Sequence, residues 1–338
     1  MSEPITSPDA YVRKFKFRPF DGIRRGRIYR IWAIAWHWWI HEWKRSRAVK
    51  VLIGFLIFMF IIMNMFLLSF KDVMLLPDPN TGEPALTTND LLENNLLSMV
   101  RGIVTFGVSL AMETGDSDES PTFNFGGTSL FILILLVMVG SGLIADDVSN
   151  QTTEIYYSKL ERHEYVLGKF LAFFIFGNMV LTFPYVFEFF LLVVGLGNID
   201  LLSALPVLVH VIVFTEIITI TYSAIILAFS SITSRRLYAG LTTFMLVFTS
   251  NMIISSLAFT GSSAGYEIFL DVLTLLLLTS YILFGVTEID YYSFKGLQTI
   301  NLTDGVGLES WMILGAVGMY ILLGFLVVIF QVYWRHSK

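Results

Sequence analysis

Six stretches of this chain stay apolar for about twenty residues or more, the length a helix rising about 1.5 Å per residue needs to cross a hydrocarbon layer about 30 Å thick. They lie at 50–70, 128–146, 167–195, 204–231, 236–259 and 311–333. Inside a bilayer, backbone N–H and C=O groups find no water, so each stretch has to satisfy them internally as a helix. With 55% hydrophobic residues, 14% charged residues and 30 phenylalanines, the same chain as a soluble domain would expose large apolar patches and aggregate. The expected fold class is therefore an all-α membrane protein with six transmembrane helices. Another apolar run, 265–285, begins beside Asp271, which would be costly facing lipid. We read that run as a re-entrant segment before the last span, within a 260–310 re-entrant or extracytoplasmic stretch.

The distribution of charge sets the orientation. Six spans put residues 1–50, 147–169, 232–237 and 334–338 on one side with 19 Lys and Arg, leaving Lys71, Arg101 and Lys295 on the other. Basic loops stay in the cytoplasm, so both termini are expected there, in the plasma membrane. A seven-span alternative gives 18 against 4 and discriminates less. No cysteine is present, which removes disulfides and thiolate sites, and no short apolar leader with a small-residue cleavage site opens the chain. Residues 71–127 form a long extracytoplasmic loop with nine acidic residues. Within it "TTNDLLENNLLSMVRGIVTFGVSLAM" reads as a helix capped by Thr88 or Asn89.

Residues 1–47 form a cytoplasmic N-terminus ending in "IWAIAWHWWIHEW", and 48–335 form the transmembrane domain. At helical spacing Trp32, Trp36, Trp39 and Trp43 share a narrow sector, while Arg30, His37, His41 and Lys44 fall opposite. An aromatic stripe with a basic back predicts an interfacial amphipathic helix lying against membrane lipids. His37 and His41 stand at i, i+4, but the pattern lacks the further ligands of a zinc site and reads as a solvated pair.

A polar island, 147–166, follows the second span. "YSKLERHEYVLGKF" contains a "GK", but His163 stands where a phosphate-binding loop needs its first glycine and Phe170 where it needs Ser or Thr. The segment "TTEIYYSKLERHEYV" can instead form a short docking helix. Here Thr152, Glu154, Ser158, Lys159, Arg162, Glu164, Tyr165, Leu167, Gly168 and Lys169 resemble the loop after the second span in permease subunits of ABC type-2 transporters. Gln151 replaces that family's glycine, and a proline after Lys159 is missing. "SSITSRRLYAGL" (230–241) is similar to the family's short inner loop between the fourth and fifth spans.

The resemblance implies a cytoplasmic coupling helix through which two separate ABC ATPase subunits drive a pair of permeases. Asp147, Glu154, Tyr156, Ser158, Lys159, Arg162, Glu164, Gly168 and Lys169 are its coupling residues. It implies an exporter of a hydrophobic or amphipathic substrate, or of an ion, with a second permease copy or paralogue beside it. ATP and Mg would sit on the partner ATPase, with no cofactor, metal or catalytic residue on this chain and no nucleic acid partner. Lys169 is expected to snorkel toward the headgroups.

Within the spans, Glu188 and His210 fall at similar depth on consecutive helices and could pair. Glu216 lies near the midplane. Ionisable residues there mark a possible pathway or a structural glue between helices. Two other functions fit less of the chain: an ion- or proton-coupled secondary transporter using Glu188, His210 and Glu216, and a membrane assembly scaffold. An embedded enzyme is disfavoured, since no H-E-x-x-H occurs.

Overall fold

The computed structural model describes residues 26–74, 88–104, 108–111, 122–125, 127–153, 156, 160–197, 199, 201–260, 269–285, 288–293, 296–301 and 310–334. Among them helix α1 (Arg27–Arg45) breaks at Ser46, whose Oγ accepts from the Val49 N–H and opens α2 (Arg47–Met74). The chain thus turns into its first span four residues before Lys50. Helix α3 (Thr88–Gly102) opens at Thr88, beside the expected Thr88 or Asn89 cap, but stops at Gly102. Val108–Ala111 (β1) then pairs antiparallel with Thr122–Phe125 (β2), where sequence reading expected the helix to continue.

The second span is two pieces, α4 (Gly127–Gly140) and α5 (Gly142–Ser149). The third also has two, α6 (Arg162–Val180) and α7 (Thr182–Leu196). Pro184 lies in the first turn of α7 and has no N–H to donate across the junction, which explains the break at Leu181. Then come α8 (Leu201–Ile232), α9 (Arg236–Thr260), the short α10 (Val272–Leu283) and α11 (Ser310–Trp334). Between the last two, Glu288–Ser293 (β3) pairs antiparallel with Gly296–Asn301 (β4), with Ile289 opposite Ile300. The alternation of Ile289, Asp290 and Tyr291 has the period of a strand, a signal the helical reading passed over.

Among the described residues, five helical segments are long and apolar enough to cross a membrane: Arg47–Ser69, Leu130–Ser149, Arg162–Leu196, Leu201–Ile232 and Ser310–Trp334. They coincide with five of the six expected spans. Helix α9 has the bounds of the remaining one, and its 25 residues extend about 37 Å. At 12 residues, about 18 Å, α10 is too short to cross. Its N-cap Asp271 is fully buried and accepts from Leu273 N–H at 3.1 Å, Thr274 Oγ1 at 2.5 Å and Asn251 Nδ2 at 2.8 Å. Those three donors make a carboxylate tolerable where lipid would not.

Helix α8 is apolar on every side: α11, α9, α6 and α7 pack along it, while Leu202, Val209 and Val213 on its remaining side stay exposed, as residues facing lipid would. Ala204, Val211, Phe214, Ile218, Tyr222 and Ile226 are buried along its length. The closest approach is to α11, where a Cβ at Gly324 would stand 2.7 Å from the backbone C and O of Ala224. Helix α3 tucks Leu91, Leu92, Leu96 and Val100 against α7, α8 and α4 at the end of the bundle away from α1.

The break in the second span is stapled from α8. Ser230 Oγ donates to the Ser141 carbonyl at 2.9 Å and accepts from the Ile144 and Ala145 N–H groups at 3.0 and 3.1 Å, all buried. These are backbone groups that the interrupted helix leaves unpaired. Ser230→Ala should therefore lower stability by about 2 kcal/mol, read as an earlier thermal transition in detergent. An unchanged transition would mean that the staple is dispensable.

Candidate functional site

The face of the bundle carrying α1 holds most of the polar side chains singled out from sequence, in three joined clusters. The first surrounds Asp147, in the last turn of α5. Its carboxylate lies 2.6 Å from Lys169 Nζ, accepts from Tyr165 Oη at 2.8 Å and from Thr152 Oγ1 at 3.3 Å. Lys169 is only 3% exposed, and its ammonium also sits over the rings of Tyr165 and Tyr156 at 5.5 and 5.7 Å. Burial first, and the Asp147 charge second, hold the Tyr156 phenol above its ordinary range, so that ring stays neutral beside the pair. The expected snorkelling of Lys169 is corrected: one turn after Tyr165, its side chain meets Asp147 inside the protein rather than reaching headgroups.

The second cluster ties α1 to the start of α6. Arg30 pairs with Glu164 at 2.7 Å, and Arg27 with Glu161 at 3.2 Å. Glu164 is fully buried, and its second oxygen accepts from the Glu161 N–H at 3.2 Å, closing the first turn of α6. A Cβ at Gly168 would stand 3.0 Å from Ile34, so glycine here lets α1 lie directly on α6. Glu161, His163 and Glu164 converge as metal ligands could, within 4.8 Å, but both carboxylates already face guanidinium groups.

The third cluster centres on Arg236, the first residue of α9. Its Nη2 lies 2.8 Å from Glu42 Oε1 on α1 and its Nη1 3.8 Å from Asp146 Oδ2 on α5. Its Nε donates to the Met138 carbonyl at 3.1 Å, in the last turn of α4. Four elements thus meet at one guanidinium, whose rigid fork suits the task. Sequence reading missed this hub. The signal was an arginine opening a helix after "SITSR", with an acidic residue among the tryptophans.

Helix α1 has three faces where two were expected. Trp32, Trp36, Trp39 and Trp43 stack in series with ring centroids 5.6 to 6.3 Å apart, the first two half-exposed. His37 and His41 stack on each other at 6.4 Å on the exposed side. The third face, with Ala35 and Glu42 buried, seats the helix on α6 and Arg236.

Of the nine expected coupling residues, Asp147, Tyr156, Arg162, Glu164, Gly168 and Lys169 are described, while Glu154, Ser158 and Lys159 lie outside the described residues. Glu164, Gly168 and Lys169 are buried against their own chain. Arg162 covers the Tyr333 ring of α11 at 5.0 Å. Glu161 and His163 are exposed, with Ser149, Asn150 and Gln151 beside them in the chain's polar island.

The residues inside the bundle do not meet as expected. Glu188 accepts from Asn95 Nδ2 of α3 at 3.5 Å, whereas His210 packs edge-on against Phe284 at 5.6 Å. The two have separate partners because α3, which sequence placed in a loop, occupies the ground beside Glu188. Glu216 accepts from Asn178 Nδ2 at 3.2 Å, an interhelical bond between α6 and α8.

Long apolar helices, two of them broken, packed around one central helix, with a polar brace at one end, define a multi-pass helical membrane protein. Residues 32–337 match the family described as ABC-2 family transporter protein, and the chain belongs to that family. No curated protein matches it. Family membership makes it a membrane transport component, consistent with a permease of an ABC transporter.

Proposed function

We propose that this chain is the permease subunit of an ATP-driven exporter, moved by separate ATPase subunits that bear on residues 147–166. The observation that carries this reading is the brace: Asp147–Lys169, Arg30–Glu164 and Arg236–Glu42 tie the polar island to α1, α5, α6 and α9. A solvated turn needs no such bracing, whereas a loop that receives force and passes it to several helices does. The buried members transmit, and the exposed Gln151, Glu161 and His163 belong to the surface an ATPase would touch, together with Glu154, Ser158 and Lys159.

In this reading α9 is the fifth of six spans and α10 is re-entrant, so both termini are cytoplasmic, as the clustered arginines and lysines favour. The protein sits in the plasma membrane, with α1 along its inner surface and its tryptophans among the headgroups. Two copies, or this chain and a paralogue, form the pathway for a hydrophobic or amphipathic substrate or an ion. Glu216 and His210 face that route. ATP and Mg belong to the ATPase.

Co-purification tests the reading. An ATP-binding chain should remain attached in mild detergent. Glu154→Lys and Arg162→Glu should each reduce its retention, or its transport-coupled turnover, by tenfold or more. Full retention and coupling in both variants would overturn the docking assignment.

A further inference from the structure

Glu188 is 1% exposed and Asn64, on α2, is 4% exposed. Asn64 and Asn95 are the hydrogen-bonding side chains that face the Glu188 carboxyl. Asn95 supplies a donor to Oε1 at 3.5 Å. Asn64 spends one of its two Nδ2 hydrogens on the Phe60 carbonyl one turn back at 2.9 Å, leaving a second N–H and Oδ1. Among the described residues neither Glu188 Oε2 nor Asn64 Oδ1 has a donor, and both are buried. An ionised carboxylate only accepts, and so does an amide oxygen, so two such atoms left without donors out of water are costly. One hydrogen between them removes both deficits. An alkali or divalent cation fits less well, because those ions take about six oxygens and Asn95 aims a donor at the same carboxyl.

We propose that Glu188 is a proton-binding site in the half of the bundle away from α1, occupied in this conformation, with its proton carried from Oε2 to Asn64 Oδ1. The other titratable groups around it leave that assignment in place. Tyr185, one turn earlier on α7, is a neutral phenol buried beside it. Lys71 of α2 donates to the Gly195 carbonyl at 2.9 Å, two turns away. Glu93 of α3 is exposed. On α8, His210 is engaged with Phe284 and Glu216 with Asn178. Helix α3 covers the site through Asn95, so lifting α3 admits water, allows Glu188 to ionise and releases the proton on that side.

Infrared spectroscopy of the full chain in lipid nanodiscs tests this without any ATPase, so its outcome is independent of the coupling reading. At neutral pH, where an ordinary glutamate is ionised, a protonated-carboxyl C=O band should be present, shift on deuteration and vanish in Glu188→Gln. Asn64→Leu, which removes the acceptor, should move the band to higher frequency or abolish it. Glu188→Gln should fold normally, since its amide N–H replaces the proton; failure of this variant to fold counts against the proposal. Absence of a Glu188-dependent band, its indifference to Asn64→Leu, or its loss on adding sodium or potassium chloride at fixed pH would overturn it.

Discussion

Lys169→Met should destabilise the protein by about 3–5 kcal/mol and uncouple whatever force reaches residues 147–166. The methionine matches the length of the lysine stem but leaves Asp147, 16% exposed, without the ammonium 2.6 Å away. Removing one member of a buried pair strands the other's charge, and here Tyr165 and Thr152 would be the donors remaining to Asp147. The double variant Asp147→Leu with Lys169→Met removes both charges and should recover most of the lost stability, because a buried pair is worth little against a packed apolar substitute. Transport should separate the two roles. Stability returns in the double variant, but the link between the polar island and α6 does not. Thermal stability in detergent beside partner-stimulated turnover reads both quantities. If Lys169→Met is as stable as the parent, the lysine is solvated and the brace fails.

The second large effect is expected at Gly324. Its substitution by alanine places a methyl 2.7 Å from the Ala224 backbone, and 2.9 Å from the Ala224 Cβ. No side-chain rotation relieves a clash with backbone, so α8 and α11 must part. Overpacking of that kind costs about 1–3 kcal/mol, and Gly324→Val should exceed it. Because α8 is the helix every neighbour leans on, the displacement should also expose buried α8 positions to hydrogen exchange. By contrast, a Cβ at Gly315 or Gly318 on the same helix meets nothing within 4 Å, so alanine there should be nearly neutral. Equal effects at all three positions would refute the contact.

The spans were legible because apolar length is a one-dimensional signal, and the Trp32–Trp43 stripe because a helix repeats at a fixed angle. What periodicity does not encode is which groups meet across the bundle. Lys169 sits at a span's edge, where a solvated lysine and a buried one look alike until Asp147 is placed 22 residues upstream in the chain. Arg236 likewise depends on Glu42, 194 residues away. The Glu188–His210 pairing failed for the converse reason: helical depth matched, but the two residues contact different elements. The β3–β4 hairpin was passed over because six-residue alternation is faint beside twenty-residue apolar runs.

The Ser141 break carries a mechanical consequence. A rigid rod pushed at one tip moves at the other, but this rod is cut nine residues before its inner tip at Asn150. Ser230, bonded on both sides of the cut, ties the remaining stub to α8, and α9 packs beside it. The stub thus takes its direction from its neighbours and not from the outer two-thirds of the rod, so on the proposed reading a push on the polar island would reach α8 and α9 before it reached the far tip.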